Sequence, residues 1–321
     1  MTLYEQFLRI KPACDFQSLS PGAVALTFKD GHAFAKNLSL MAKIPFEGVA
    51  DCVVAAKEFS TAVRAFPAAT SARVTPKTVI ISKGDTLGTI PRMDVVVDYD
   101  DIPLKMSPVP KGFGAAIERV APFVSKDRTR AWTMGARIDG SKIVATNNVV
   151  LVEAAMLEDS GVTKLTLSNS LVEFLASNHA GIESWGISNK EIRFAFKDGG
   201  WVRAARLNGE MPDRVPAMLE GFPELAEGSG KTLEWRNEVR QHLAFAEGLI
   251  TVADDKITGQ RDGLVLEVNI ETPIFDQPLV FGPELLEVVK HATEIDFTSE
   301  DNIPFRGDNF RGIMAPRSIT A

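Results

Sequence analysis

Apolar residues recur at helical spacing in six short windows of this chain. Each window is followed by segments in which apolar and polar positions alternate. The helical windows are Leu3–Ala13, Ala56–Phe66, Lys111–Val124, Ser168–Asn178, Leu233–Glu247 and Gly282–Thr293. In the fourth, Leu171, Val172, Phe174 and Leu175 form one apolar stripe, and Ser168 or Asn169 supplies an N-cap. Pro283 stands in the first turn of the sixth, where a missing N–H costs nothing. The alternating segments turn at residues that tolerate positive φ, the signature of tight hairpins. Ala23–Phe28 meets Ala33–Leu38 across Lys29-Asp30-Gly31, and Thr78–Ser82 meets Thr86–Ile90 across Lys83-Gly84-Asp85. Trp132–Ile138 meets Lys142–Ala145 across Asp139-Gly140, and Glu191–Phe196 meets Trp201–Arg206 across Lys197-Asp198-Gly199-Gly200.

The helix starts lie 53, 55, 57, 65 and 49 residues apart. A period of this length signals one supersecondary unit copied and stacked, because a single unit cannot bury its own apolar face. Two linkers pair the units: Asp98 through Pro103, and Pro212 through Pro223 with Pro216 and Gly221 inside it. The expectation is an α+β chain of three domains, 1–106, 107–220 and a shortened 221–321. Each would carry two helices packed on antiparallel sheets.

Composition changes this picture little. The chain of 321 residues is 45% hydrophobic and 24% charged, ordinary for a globular protein with a full core. Cys14 and Cys52 are its only cysteines and sit in no metal-binding pattern, so they read as small apolar residues in a reducing compartment. No basic-then-apolar leader and no run of 18 apolar residues appears, so a cytoplasmic protein without membrane contact is expected. The net charge of −7 argues against nucleic acid, but its distribution does not. The six helices, with the third extended to 130, the fourth to 179 and the fifth begun at 231, hold 13 Lys+Arg and 10 Asp+Glu. The remainder holds 22 and 32. An acidic body with mildly basic helices can track phosphates if those helices share a face.

The sequence carries little sign of catalysis. Asp94, Asp98, Asp100 and Asp101 lack calcium-loop spacing and lie in a linker. Lys111-Gly112-Phe113-Gly114 lacks the rest of a phosphate loop. His32, His179, His242 and His291 are scattered, with no partner acid or serine at recognisable spacing. No enzyme activity, metal or cofactor is expected.

Several segments, taken in order, resemble a known family. The run Ala121-Pro122-Phe123-Val124-Ser125-Lys126-Asp127-Arg128-Thr129-Arg130, followed by Ile143-Val144-Ala145-Thr146, is similar to the middle domain of bacterial β sliding clamps. These are the processivity rings of the replicative polymerase. Arg206-Leu207-Asn208-Gly209-Glu210-Met211-Pro212-Asp213 resembles the close of that domain. Val53–Phe59 with Val63–Pro67 resembles the second helix of clamp domain one, and Phe310–Ile319 the clamp C-terminus. Two departures fall in the family's partner pocket. Thr146-Asn147-Asn148-Val149-Val150-Leu151 stands for Thr-Asp-Gly-His-Arg-Leu, and Met314-Ala315-Pro316-Arg317-Ser318-Ile319 for Met-Pro-Met-Arg-Leu. The expectation is a divergent clamp, of the kind a phage or another mobile element with its own polymerase would encode.

Geometry agrees with a ring of two chains. Six helices at ~10 Å spacing enclose a ~19 Å circle between axes and leave ~9 Å clear, whereas twelve leave ~28 Å. A duplex is roughly 20 Å wide. One chain therefore cannot encircle it, and a head-to-tail homodimer, which the resemblance implies, can. Cations on the inner helices would then meet phosphates loosely and without base readout. The candidates are Arg9, Lys11, Lys57, Arg64, Lys111, Arg119, Lys126, Arg128, Arg236, Arg240 and Lys290. The resemblance also implies a groove between domains two and three that binds short motifs of a DNA polymerase and a clamp loader. Its wall would come from Thr133, Thr146, Leu151, Pro216, Ile313, Met314, Pro316 and Arg317. A second expectation stays open: a clamp-like scaffold or decoy that binds polymerase or transcription partners and never encircles DNA.

Overall fold

The computed structural model describes residues 1–18, 20–97, 99, 104–127, 129–207, 211–220, 231–232, 248–253, 256–261, 264–269, 278–296 and 302–317. The window expected as the fifth helix, Leu233–Glu247, lies outside the described residues, as do Arg128, Arg236 and Arg240. The chain forms two compact units. One comprises Met1–Val109 with Leu167–Asn208, the other Pro110–Thr166 with Gly209–Ala321.

The first unit is built on an eight-stranded antiparallel sheet. Its strands are β1 (Ala25–Lys29), β2 (His32–Lys36), β3 (Leu40–Pro45), β4 (Cys52–Ala55), β8 (Ser107–Pro108), β13 (Ile182–Ile187), β14 (Glu191–Phe196) and β15 (Trp201–Ala205). Their order is β4-β1-β2-β3-β15-β14-β13-β8. A three-stranded sheet runs β5 (Arg73–Val74), β6 (Thr78–Lys83), β7 (Thr86–Pro91). Helices α1 (Leu3–Ile10), α2 (Pro21–Val24), α3 (Ala56–Ala65) and α5 (Asn169–Ser177) belong to this unit, and α1 packs against both α3 and α5. The core beneath α1 and α3 is aromatic: the Phe28 ring lies 4.9 Å from that of Phe46 and 5.1 Å from that of Phe59.

The second unit repeats the plan. Its eight-stranded sheet runs β12-β9-β10-β11-β23-β22-β21-β16. These strands are β9 (Gly135–Asp139), β10 (Lys142–Thr146), β11 (Val150–Ala155), β12 (Leu165–Ser168), β16 (Lys231–Thr232), β21 (Glu294–Ile295), β22 (Ile303–Gly307) and β23 (Phe310–Met314). A four-stranded sheet has the order β19-β18-β17-β20, from β17 (Ile250–Ala253), β18 (Lys256–Arg261), β19 (Leu264–Asn269) and β20 (Leu279–Phe281). Among the described residues its helices are α4 (Phe113–Val120), α6 (Arg214–Glu220) and α7 (Glu284–His291).

Both large sheets are joined in their middle by strands far apart in sequence. Leu40 on β3 stands opposite Ala204 on β15, and Val150 on β11 opposite Met314 on β23. The repeat is also visible in the turns. Asn37 Oδ1 accepts from the N–H groups of Ser39 and Leu40, and Asn147 Oδ1 from those of Val149 and Val150. Thr75 and Ser188 hydroxyls accept in the same way at the corresponding corners before β6 and β14. The β1–β2 turn places Asp30 at φ 51° and Gly31 at φ 72°, as a two-residue hairpin requires.

Side-chain caps start two of the helices, the one on α5 as expected. Thr2 and Glu5 form a reciprocal capping box on α1, and Ser168 caps α5. Three expectations are corrected. The segment 212–223, read as a linker, contains α6; Pro216 is its third residue, where no intrahelical N–H bond is lost. Pro283 is the N-cap of α7, one place earlier than expected. Trp132 lies in a 3-10 turn, Ala131–Thr133, and the strand begins only at Gly135. The Thr133 hydroxyl and N–H both donate to the Arg130 carbonyl, which closes that turn.

Candidate functional site

Strand alternation divides the second unit's large sheet into two faces. On one face Val144, Leu151 and Ile313 pack with Met211, Val215 and Leu219, so α6 lies across the sheet, with Trp132 beside it. Short of full cover, α6 leaves a cavity of about 180 Å³. Leu151 and Ile313 form its floor, Val215 and Met218 of α6 one wall, and Trp132, Arg130, Asn148 and Asn302 its rim. Arg130 donates to Asn148 Oδ1 at 2.9 Å, and the N–H of Asn148, a residue at φ 74°, donates to the Thr146 hydroxyl oxygen. The cavity is apolar within and polar at its mouth, which suits a short peptide with one apolar anchor.

Of the wall residues expected from the sequence, Thr146, Leu151 and Ile313 line this cavity. Thr133 is fully buried and spends its hydroxyl on Arg130. Met314 is 1% exposed and, as the strand neighbour of Ile313, belongs to the opposite face. Pro216 sits on α6 beside Val215, and Pro316 follows the lining residue Ala315. Arg317 runs elsewhere: its N–H donates to the Val280 carbonyl and its guanidinium reaches Glu284 at 3.5 Å. Sequence reasoning missed Arg130, Trp132, Asn148, Val149, Val150, Val215, Met218, Asn302 and Ala315. The β10–β11 turn was a usable signal for Asn148 and Val149, but nothing local marked α6 as a wall.

One charge is buried beside the pocket. Arg137 on β9 is 4% exposed. Its Nη1 donates to Asp213 Oδ1 at 2.8 Å and to the Met211 carbonyl at 3.1 Å, and its Nη2 to Asp139 Oδ2 at 2.5 Å. Burial pulls its pKa down, but the two carboxylates outweigh that and hold it above its ordinary value. Asp213 also takes Lys164 Nζ at 2.7 Å, and the Lys164 and Arg137 hydrogen bonds lower its pKa.

Several of the expected helix cations are engaged within the chain. Arg9 pairs with Asp198 at 2.6 Å and donates to Asn178 Oδ1. Arg119 donates to the Asp308 carbonyl at 2.5 Å. Lys111 pairs with Glu158 at 2.8 Å, and Lys290 with Glu287 at 2.6 Å. Lys57 and Arg64 are exposed on α3, seven residues apart with Thr61 between, on one stripe; neither has an ion-pair partner among the described residues. Lys11 is half-buried in the turn after α1, and Lys126 is exposed. On α5 there is no Lys or Arg. Cys14 and Cys52 are buried free thiols, their pKa values pushed up by burial to about 12 and about 11. Among the described residues no cluster of His, Cys, Asp or Glu could hold a metal, and no helix is long and apolar enough to cross a membrane.

Short helices on antiparallel sheets, repeated through the chain, give this protein the fold of the bacterial sliding clamps. The DNA polymerase III β subunit of Thermotoga maritima matches 99% of this chain and 97% of its own, with a TM-score of 0.62 and 17% identity. The Bartonella birtlesii sliding clamp bound to griselimycin matches 99% and 98%, with a TM-score of 0.62 and 14% identity. The Helicobacter pylori β clamp bound to a DNA ligase peptide matches 98% and 97%, with a TM-score of 0.57 and 15% identity. No protein-family model and no curated protein matches the sequence.

Proposed function

We propose that this protein is a divergent sliding clamp that encircles duplex DNA as a head-to-tail homodimer and tethers a DNA polymerase. The observation that carries the reading is the end-to-end match to β clamps, which leaves almost none of either chain over. The three domains would be 1–106, 107–220 and 221–321, and the protein would perform no chemistry of its own. A clamp loader and the polymerase would use the 180 Å³ cavity, as a DNA ligase peptide is bound by the Helicobacter clamp.

Two strand edges support the dimer. β7 ends the three-stranded sheet of one unit, and β19 ends the four-stranded sheet of the other. Both show the same order of exposed and buried positions, and both carry exposed apolar residues: Leu87 on β7, Leu264 and Val265 on β19. An uncovered apolar edge is an association site. Pairing β7 of one copy with β19 of the next would hide both.

The test is mass in solution by light scattering, followed by retention on circular DNA before and after linearisation, with a loader supplied. A mass near twice 34.9 kDa, retention on circles and loss from cut ends support encirclement. A monomer, or a dimer indifferent to DNA topology, supports the scaffold instead. That second reading is favoured by one observation: Arg9, Arg119, Lys111 and Lys290 are engaged within the chain, and α5 carries no cation.

A further inference from the structure

Arg137 is an expensive residue to keep where it stands. Its side chain is 5% exposed, it lies beside the cluster of Val144, Met211 and Val215, and its Nε is buried without a hydrogen-bond partner. An apolar residue at this strand position would avoid the desolvation cost of the charge and the orphaned N–H. What the guanidinium does instead is grip one short segment. Nη1 takes the Met211 carbonyl and the Asp213 carboxylate, the last residues before α6, while Nη2 is braced by Asp139 on its own strand. Lys164 holds the second oxygen of Asp213.

Helix α6 needs such a grip. It has seven residues, and a helix that short is not stable by itself. Its position is set by its contacts: Val215 and Leu219 on the sheet, and the Arg137–Asp213 pair at its N-terminal end, where a carboxylate also suits the helix dipole. The same helix supplies Val215 and Met218 to the cavity. The cavity's width is therefore the distance between α6 and the Leu151–Ile313 floor.

We infer that Arg137 is a positioning residue of the pocket. By clamping Met211 and Asp213 it sets the height of α6 over the sheet, and so controls ligand affinity without touching the ligand. The inference rests on the peptide-pocket reading above for its functional meaning, but the clamp on α6 can be tested apart from it.

The experiment compares the full-length chain with Arg137→Met, Arg137→Lys and Asp213→Asn by hydrogen–deuterium exchange and by griselimycin binding. Griselimycin, the ligand in the Bartonella clamp, is the probe. Arg137→Met should speed exchange over 211–220 by about tenfold, with residues 142–155 and 303–314 unchanged, and weaken griselimycin by a similar factor, mainly through faster release. Arg137→Lys, which keeps the charge but loses the fork, should fall between. Asp213→Asn supplies a milder variant should Arg137→Met fold poorly, and should shift both readouts in the same direction. Unchanged exchange over 211–220, or exchange raised evenly across the sheet, would overturn the positioning role and leave Arg137 a residue of the fold alone. Failure of the unaltered chain to bind griselimycin would count against the peptide pocket, and the exchange result alone would then decide the clamp on α6.

Discussion

Arg9 Nη2 lies 2.6 Å from Asp198 Oδ2, and so ties the last turn of α1 to the β14–β15 hairpin, 189 residues on. Arg119, in the last turn of α4, makes the matching reach to the Asp308 carbonyl in the β22–β23 turn, also 189 residues on. In each unit one arginine fastens a helix to the hairpin brought in by the distant half. The Asp198 carboxyl gains from this. Burial raises its pKa, but the Arg9 hydrogen bond and the Gly200 N–H outweigh burial and lower it. Arg9→Ala should destabilise the chain by about 1–2 kcal/mol, discounted for its partial exposure. It should leave the salt dependence of DNA retention unaltered. A shallower salt slope in this variant would mean that Arg9 meets phosphate after all.

Lys57 and Arg64 should behave in the opposite way. Exposed on α3 and without an ion-pair partner among the described residues, they are free to face phosphate. The Lys57→Ala/Arg64→Ala variant should keep its melting temperature, and the slope of log affinity against log salt should flatten by about 0.9 for each phosphate no longer neutralised. An unchanged slope would remove α3 from the DNA-binding surface.

The strand edges can be tested by cross-linking, because both native thiols are buried. Leu87→Cys and Val265→Cys proteins, mixed and oxidised, should give a disulfide-linked pair, while each alone stays uncrosslinked. Linking of Leu87→Cys to itself would indicate a symmetric contact between like edges in place of a head-to-tail one.

Ile313 and Met314 are neighbours on β23 with opposite fates. Ile313→Ala should weaken polymerase stimulation while the dimer persists, since Ile313 lines the cavity. Both residues are buried, so Met314→Ala should also lower stability, by roughly 2–5 kcal/mol, but should spare stimulation in the folded protein, because Met314 lies on the opposite face. Loss of stimulation in Met314→Ala would show that the faces have been misassigned.

His291, at the end of α7, packs edge-on against Phe310 at 5.5 Å. Burial lowers its pKa below 6.5, and Arg119 and Lys290 add to this, against Glu118 and Glu287. The unfolded chain therefore takes up this proton first as pH falls. Stability associated with neutral His291 is complete above about pH 6.5 and is lost as pH drops from there toward the lower folded pKa. His291→Phe should flatten the melting-temperature profile between about pH 7 and pH 5. An identical profile in the variant would assign that dependence to other groups.

Much of the fold was legible because its signals are local. Helix windows at 3–13, 56–66, 111–124, 168–178 and 282–293 all contain helices, and the hairpins turn at Asp30-Gly31, Gly84-Asp85 and Gly140-Ser141. Their causes, apolar periodicity, caps and turn residues, act within a few positions of one another. The site was less legible. Thr146, Leu151 and Ile313 were found through the resemblance, whereas the proline-bearing stretch around α6 looked like a linker. A seven-residue helix leaves too little periodicity to detect.

By itself, then, the sequence determined five of the helix windows, the hairpin turns and the α+β class, since each follows from short-range backbone preference and the burial of one apolar face. Tertiary structure alone decided which strands join across the repeats, β3 with β15 and β11 with β23. It also decided that Ile313 meets the cavity while Met314 does not, and that Arg9 and Arg119 are spent on hairpins. Those outcomes depend on register and, for Arg9 and Arg119, on partners 189 residues away. No local propensity carries that information, because a shift of one residue in pairing would reverse every face.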